Sequence, residues 1–255
     1  MSAPVFLAEG EDLSAYTPGS VFALDGEEGR HAGVVQRRQV GEQIDIVDGK
    51  GMRLCTTIEL VSQGHLELRV DAVNAEPTSE HEFVLVQALA KGDRDELAIE
   101  ASTEVGVDGV VPWQADRSIV VWRGPRAAKS HARWRATIRA ATKQARRARL
   151  PFVEQPVDSR ALTRLIEQTV QDGGAAVVLH EEASTGIGAV ELPAGNGTPV
   201  RVLLIVGPEG GMTEREVESF TQAGAVLGRL GPHVLRTSTA GPVALSVLSH
   251  STGRW

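Results

Sequence analysis

Two glycine-bearing segments carry the residue types best suited to chemistry. The first, Val206-Gly207-Pro208-Glu209-Gly210-Gly211-Met212-Thr213, leaves a buried-type apolar run and enters a Thr-x-x-Glu pattern. Three glycines let backbone amides and carbonyls come close to a ligand, and they equally build a tight strand-to-helix turn with none. There is no G-x-G-x-x-G dinucleotide fingerprint and no P-loop lysine. The second segment, Leu230-Gly231-Pro232-His233-Val234-Leu235-Arg236-Thr237-Ser238-Thr239-Ala240, again follows a strand end. Two such loops at the carboxyl ends of adjacent strands would form one crevice. Arg236, if buried there, requires an anionic partner and is either structural or substrate-facing; Glu209 is the candidate.

The 255-residue chain has a net charge of −7, which argues against a polyanionic partner, but the mean hides an asymmetry. Residues 123 to 149 hold ten Lys or Arg and no Asp or Glu, leaving 16 basic against 33 acidic side chains elsewhere. That segment either presents a local positive field to RNA or another polyanion, or serves only as a solvated basic face. The seven histidines are scattered and Cys55 is the single cysteine, so neither a zinc cluster nor an internal disulfide is expected. His180, at a strand end, is either structural or in contact with substrate, and Lys91 is either a phosphate contact or an ordinary surface lysine. The longest strongly apolar stretch lies around Val202 to Val206, and the N-terminal MSAPVFLAEGED lacks a basic region followed by an apolar core. A soluble protein of a reducing cytoplasm, without a membrane span, is the expectation.

The elements that must position these loops fall into two textures. Residues 1 to about 75 read as mostly β, with strands at Val5–Leu7, Val21–Leu24, Gln43–Val47, Arg53–Leu60 and Leu66–Val73, and a short helix at Gly29–Arg38. The polar AEPTSEHE, 75 to 82, reads as a linker. Strands and helices then alternate, the pattern of a mainly parallel sheet. Strands are predicted at Phe83–Leu89, Gly109–Trp113, Ala175–His180 and Val200–Val206. A helix over Asp93–Glu104 would turn Leu97, Ala101 and Val105 to one face. A helix over 131–149 would bury Trp134, Ile138, Ala141, Ala145 and Ala148 beside an arginine stripe of Arg135, Arg139, Arg146 and Arg149. Thr213–Ala223 starts with a capping box pairing Thr213 with Glu216, and a last helix is placed near Pro242 to His250. Trp113 and Trp122 are open to either core or base-stacking roles.

At these loops and along nearly the whole chain, the sequence resembles the RsmE family of 16S ribosomal RNA uridine-N3 methyltransferases, of the SPOUT superfamily. The resemblance runs through Asp25-Gly26-Glu27-Glu28, His31, Arg37 and Gly41, then Ala88-Leu89-Ala90-Lys91-Gly92-Asp93-Arg94, Thr103-Glu104-Val105-Gly106-Val107 and Arg117-Ser118. It continues through Lys143-Gln144-Ala145-Arg146-Arg147-Ala148-Arg149-Leu150-Pro151, Gly207-Pro208-Glu209-Gly210-Gly211 and Leu230-Gly231 to Ala240. It implies an α/β fold: a small PUA-like β-barrel RNA-binding domain, residues 1–75, followed by a SPOUT trefoil-knotted methyltransferase domain, residues 76–255. It implies S-adenosylmethionine as cofactor, 16S rRNA of the small ribosomal subunit as substrate, and a homodimer across the knot.

Carried over residue by residue, the cofactor pocket would use Leu179, His180, Gly207, Glu209 and Gly210, then Leu230, Gly231, Leu235, Arg236, Thr237 and Ala240. RNA contacts would fall to Arg37, Lys91, Arg117, Arg135, Arg139 and Arg146. Methyl transfer to uracil N3 must displace a proton, and a nearby arginine stabilises the developing charge; Arg236, Arg147 and Arg149 are the candidates, with Glu209 as a possible base. The chain departs from the family at Ala3-Pro4-Val5-Phe6, which lacks the usual arginine, at Lys143, where a glutamate is usual, and at Ser238, which replaces a carboxylate. Beside this stand two other readings: a knotted methyltransferase for a tRNA or another ribosomal site, and a non-catalytic RNA-binding protein.

Overall fold

The computed structural model describes residues 3–255. It resolves into two compact units, one of residues up to Thr78 together with Arg139–Leu150, the other of Ser79–Ile138 and Pro151–Trp255. The first unit is therefore discontinuous in sequence.

In the first unit, strands β1 (Val5–Leu7), β2 (Val21–Leu24), β3 (Gln43–Val47), β4 (Met52–Ser62) and β5 (His65–Ala75) form one sheet in the order β1-β3-β4-β5-β2. Alternation places Leu66, Leu68 and Val70 inward, where they meet Phe6, Phe22, Ile44, Ile46 and Leu54 in a single core. The short helix starts earlier than expected: α1 spans Gly26–Arg30 and passes into one wide turn over His31–Val35. Residues 139–150 close this unit. The Arg149 guanidinium donates to the carbonyls of Lys50 (2.6 Å) and Glu76 (2.9 Å) and to the Thr78 hydroxyl (3.2 Å), and Ala148 packs against Val5, Leu7 and Val47.

The second unit is built on parallel strands: β6 (His81–Ala88), β7 (Gly109–Gln114), β8 (Phe152–Val153), β9 (Val157–Asp158), β10 (Ala175–Leu179), β11 (Val200–Val206) and β12 (Val226–Gly228). Their order is β12-β10-β11-β6-β7-β8, with β9 also on β7. Helices α2 (Arg94–Glu104), α3 (Pro125–Gln144, whose end from Arg139 belongs to the first unit), α4 (Ser159–Gln171) and α5 (Glu214–Gln222) lie between them, and α6 (Thr237–Ser251) follows β12. Leu162 and Ile166 of α4 and Phe220 of α5 cover one sheet face through Val84, Val86, Val178, Leu203 and Ile205. On the other face Gly241 of α6 lets that helix approach β6, since a Cβ there would sit 2.8 Å from a Leu85 methyl. Covering both faces explains the unbroken apolar runs of β6 and β11.

Helices α2, α3 and α6 also differ from expectation. Helix α3 stops at Gln144, not 149, because Arg146 adopts φ 56° and the amides of Arg146 and Arg147 close back on Lys143 and Thr142. This is a left-handed helix stop made without glycine, which removes Arg146 and Arg149 from the helical stripe. Helix α2 buries Asp95, Ala98, Ile99, Ser102 and Thr103, while Leu97 is 53% exposed, because polar residues share the packed face. Helix α6 begins at Thr237 and takes Pro242 into its interior. The C-terminal end is pinned by Arg254, which donates to both oxygens of Asp108 (2.8 and 2.9 Å) and lies over the Phe83 ring.

Candidate functional site

At the carboxyl ends of β10, β11 and β12 the second unit opens a cavity of about 700 Å³, within the roughly 300–1,000 Å³ common for small-ligand sites. The two glycine loops do not follow adjacent strands. β10 lies between β11 and β12, so its end, Leu179 to Glu181, forms the middle of the wall. The first loop supplies Gly207, Glu209 and Gly210, the second Leu230, Gly231 and Leu235, and the start of α6 Arg236, Thr237 and Ala240. Every position expected to hold the cofactor, His180 among them, thus lines this one cavity.

Buried polar chemistry fixes the walls. Glu216, 2% exposed, accepts from the Thr213 amide (2.8 Å) and hydroxyl (2.9 Å) with one oxygen, and from the Asp116 amide (2.8 Å) and Ser159 hydroxyl (2.6 Å) with the other. The expected capping box is present, and it also ties the glycine loop to β7 and α4. Burial alone would raise the Glu216 carboxyl; these hydrogen bonds more than offset it and hold the group below its ordinary value. Gly211 turns at φ 70° and Gly231 at φ 148°, backbone conformations that disfavour side chains. On the opposite side, the Thr237 hydroxyl donates to the Gly207 carbonyl at 2.8 Å.

The charges sit differently from expectation. Glu209 does not meet Arg236. Its carboxylate accepts from the Arg94 guanidinium at 2.8 Å and from the Lys91 amide at 3.2 Å. Burial pushes its pKa up, but these bonds and one from its own amide outweigh it, leaving the group below the ordinary carboxylate range. Arg117 donates to the carbonyls of Gly210 (3.2 Å) and Met212 (3.3 Å), holding the far side of the loop. Arg236 is exposed rather than buried, and among the described residues its guanidinium has no hydrogen-bond or ion-pair partner. Among the described residues, two arginines lining the cavity have no such partner, Arg236 and the exposed Arg229, so these, rather than the pair first expected, are left for a ligand.

The lining suits a ligand with an aromatic base and polar edges. Leu179, Val206, Leu230, Leu235 and Ala240 give apolar surface. Among the described residues, the amides of Leu230, Gly231, His233, Val234 and Leu235 donate to no protein acceptor, so they are open to one. Such a donor set fits an adenine-bearing cofactor held by backbone groups.

The remaining candidates lie outside this lining. Lys91 reaches the wall only through its backbone, its side chain being exposed. Arg135 is exposed on α3. In the first unit, Arg37 is exposed at φ 54°, and Arg139 is paired with Glu9 and with Glu28 (2.9 Å). Lys143 also contacts Glu28 (2.7 Å), so the departure from the family's usual glutamate here forms an ion pair. Arg146, Arg147 and Arg149 belong to the same unit, Arg149 being committed to the carbonyls above. Trp113 and Trp134 are core residues; Trp122 is half-buried, edge-on to Trp134. Sequence reasoning missed Arg94 as the partner of Glu209 and Gln87 behind the wall. Gln87 was visible as the one polar residue in an apolar run. Among the described residues, no group of three His, Cys, Asp or Glu is placed to hold a metal, and no helix is long and apolar enough to cross a membrane.

Comparison with known proteins places these features. A family profile described as an RNA methyltransferase domain matches residues 77–249. The chain is 43% identical over 237 residues to the ribosomal RNA small subunit methyltransferase E of Mycobacterium tuberculosis, covering 93% of this chain and 89% of that one. A methyltransferase from Legionella pneumophila, solved with bound S-adenosylmethionine, superposes with a TM-score of 0.79 at 30% identity, covering 98% of each chain. The ribosomal RNA small subunit methyltransferase E of Neisseria gonorrhoeae, also bound to S-adenosylmethionine, gives a TM-score of 0.83 at 26% identity and the same 98% coverage of both.

Proposed function

The chain belongs to the RsmE family of ribosomal RNA small subunit methyltransferases and is an S-adenosylmethionine-dependent ribosomal RNA methyltransferase; from that premise we propose that it methylates N3 of a uridine in 16S rRNA of the small ribosomal subunit. The observation that carries the reading is the single cavity at three parallel strand ends, lined by all the positions to which the resemblance assigns the cofactor. When bound, S-adenosylmethionine supplies an already activated methyl group on a cationic sulfur.

The protein's own task is then to position and to stabilise charge. The loops after β10, β11 and β12 offer apolar walls and open amides to the cofactor. Arg236, without a partner among the described residues, faces the developing negative charge on the uracil oxygens and favours loss of the N3 proton to solvent. Glu209 is poorly suited as a base, since its pKa is lowered and its oxygen already binds Arg94 and Lys91; its role is to brace the loop. Arg37, Arg139 and Arg146 of the first unit and Arg135 of the second take the RNA backbone, and Arg147 and Arg149 become secondary candidates for catalysis.

The five-stranded sheet of the first unit supports a PUA-like RNA-binding barrel over 1–75, and the parallel sheet with its late helix supports a SPOUT knot over 76–255. Two copies pairing across that knot, in the cytoplasm where ribosomes are built, complete the proposal. The test is direct. Small-subunit RNA from a strain lacking this protein is incubated with the protein and labelled S-adenosylmethionine, then digested to nucleosides. Label in 3-methyluridine from 16S rRNA is expected; label confined to another nucleoside, to tRNA or to 23S rRNA overturns the assignment.

A further inference from the structure

Gln87 is fully buried at the carboxyl end of β6, the one polar side chain in the run Phe83 to Leu89. An unmade hydrogen bond on a buried amide is costly, yet among the described residues its Oε1 has no partner. Its Nε2 donates to the Thr237 hydroxyl at 2.9 Å and to the Ala88 carbonyl at 3.2 Å. Thr237 in turn donates its only proton to the Gly207 carbonyl at 2.8 Å. That fixes the polarity of the chain. With its proton committed to Gly207, the Thr237 oxygen can only accept, so the nitrogen end of Gln87 must face it. Reversing the amide would leave the threonine oxygen facing two acceptors with one proton.

Gly207 and Thr237 line the cavity on opposite loops; Gln87 does not line it. We propose that Gln87 is a positioning residue for cofactor binding: through Thr237 it sets the spacing between the loop after β11 and the start of α6. The proposal rests on the reading that this cavity holds S-adenosylmethionine. It makes the buried amide's nitrogen, rather than its size, the property that matters. A carboxylate of the same shape cannot donate. It would draw the Thr237 proton to itself and release the Gly207 carbonyl, until protonation restores a donor.

The test is calorimetric titration of S-adenosylmethionine into native protein and Gln87→Glu across about pH 6 to 8.5. Because His180, His233 and Glu181 also line the cavity, the quantity read is the ratio of variant to native Kd at each pH. That ratio is expected to be about tenfold at the alkaline end, as for one lost buried hydrogen bond, and to shrink toward one as pH falls. A pH-independent ratio, or one near unity throughout, overturns the proposal. If Gln87→Glu does not fold, Gln87→Met decides the matter: it must weaken binding about tenfold at every pH, and an unchanged Kd with a lowered melting temperature shows a merely structural role and overturns it. Absence of binding by the native protein would instead refute the cofactor reading itself.

Discussion

Replacing Glu216 by glutamine tests how the glycine loop is held. The substitution keeps size and one carbonyl oxygen but puts an NH₂ where a carboxylate oxygen accepted two donors. Either the Asp116 amide and Ser159 hydroxyl, or the two Thr213 donors, then face a nitrogen in a site 2% exposed. Two buried donors at roughly 1–3 kcal/mol each give a loss of about 2–6 kcal/mol, a large part of the roughly 5–15 kcal/mol of a typical domain. The pH dependence has a definite sign. The folded pKa of Glu216 lies below its ordinary 4.5, so its stabilisation is present above that value and is lost as pH falls through the folded pKa. The gap between native and Glu216→Gln must therefore be level near neutrality and narrow in acid. Urea unfolding followed by tryptophan fluorescence reads the right unit, since Trp113, Trp122, Trp134 and Trp255 all lie in the second. A difference in unfolding free energy under about 0.5 kcal/mol at pH 7 with unchanged slope would refute the reasoning.

Arg236→Ala should lower kcat on ribosomal RNA by about a hundredfold with a much smaller change in S-adenosylmethionine affinity; equal losses in both would move Arg236 to cofactor binding alone. Arg254→Ala leaves Asp108 without its two-pronged partner and should cost about 1.5–3 kcal/mol in denaturant unfolding. Gly109→Ala drives a methyl into the Phe152 ring and should destabilise by about 1–3 kcal/mol in the same measurement. Asp95 has its pKa raised to about 6, chiefly by burial, so its ionisation opposes folding: stability relative to Asp95→Asn should fall as pH rises from about 4 through 6, and parallel melting curves would exclude it.

Much of the scaffold was legible because it rests on local rules. The alternation at Leu66, Leu68 and Val70, the apolar runs of β6 and β11, and the Thr213–Glu216 box each follow from neighbours in sequence. The clustering of glycines with Glu209 and Arg236 pointed to two loops, yet not to the strand between them, since strand order depends on crossovers. Ion-pair choice was the least legible: Glu209 pairs with Arg94, 115 residues away, rather than with Arg236. Helix α4 went unread although its signals are local: Asp158 caps it, Leu162 and Ile166 recur at helical spacing, and Gly173 at φ 84° follows its last turn. The end of α3 was misplaced because Arg146 takes the position a glycine usually marks.

The discontinuity of the first unit bears on how the protein is made. Its sheet is finished at Ala75, but the Arg149 bonds that tie Lys50, Glu76 and Thr78 together involve residues 99, 73 and 71 positions apart in sequence. The threonine that binds Gly207 and Gln87 is likewise synthesised 150 residues after Gln87. Neither the first unit nor the cavity can reach its final form while only its early strands have been translated. β6 and β11 must wait on the ribosome with their apolar faces uncovered until α6 follows, so slowing translation between residues 206 and 237 should lengthen the interval in which the nascent chain needs a chaperone.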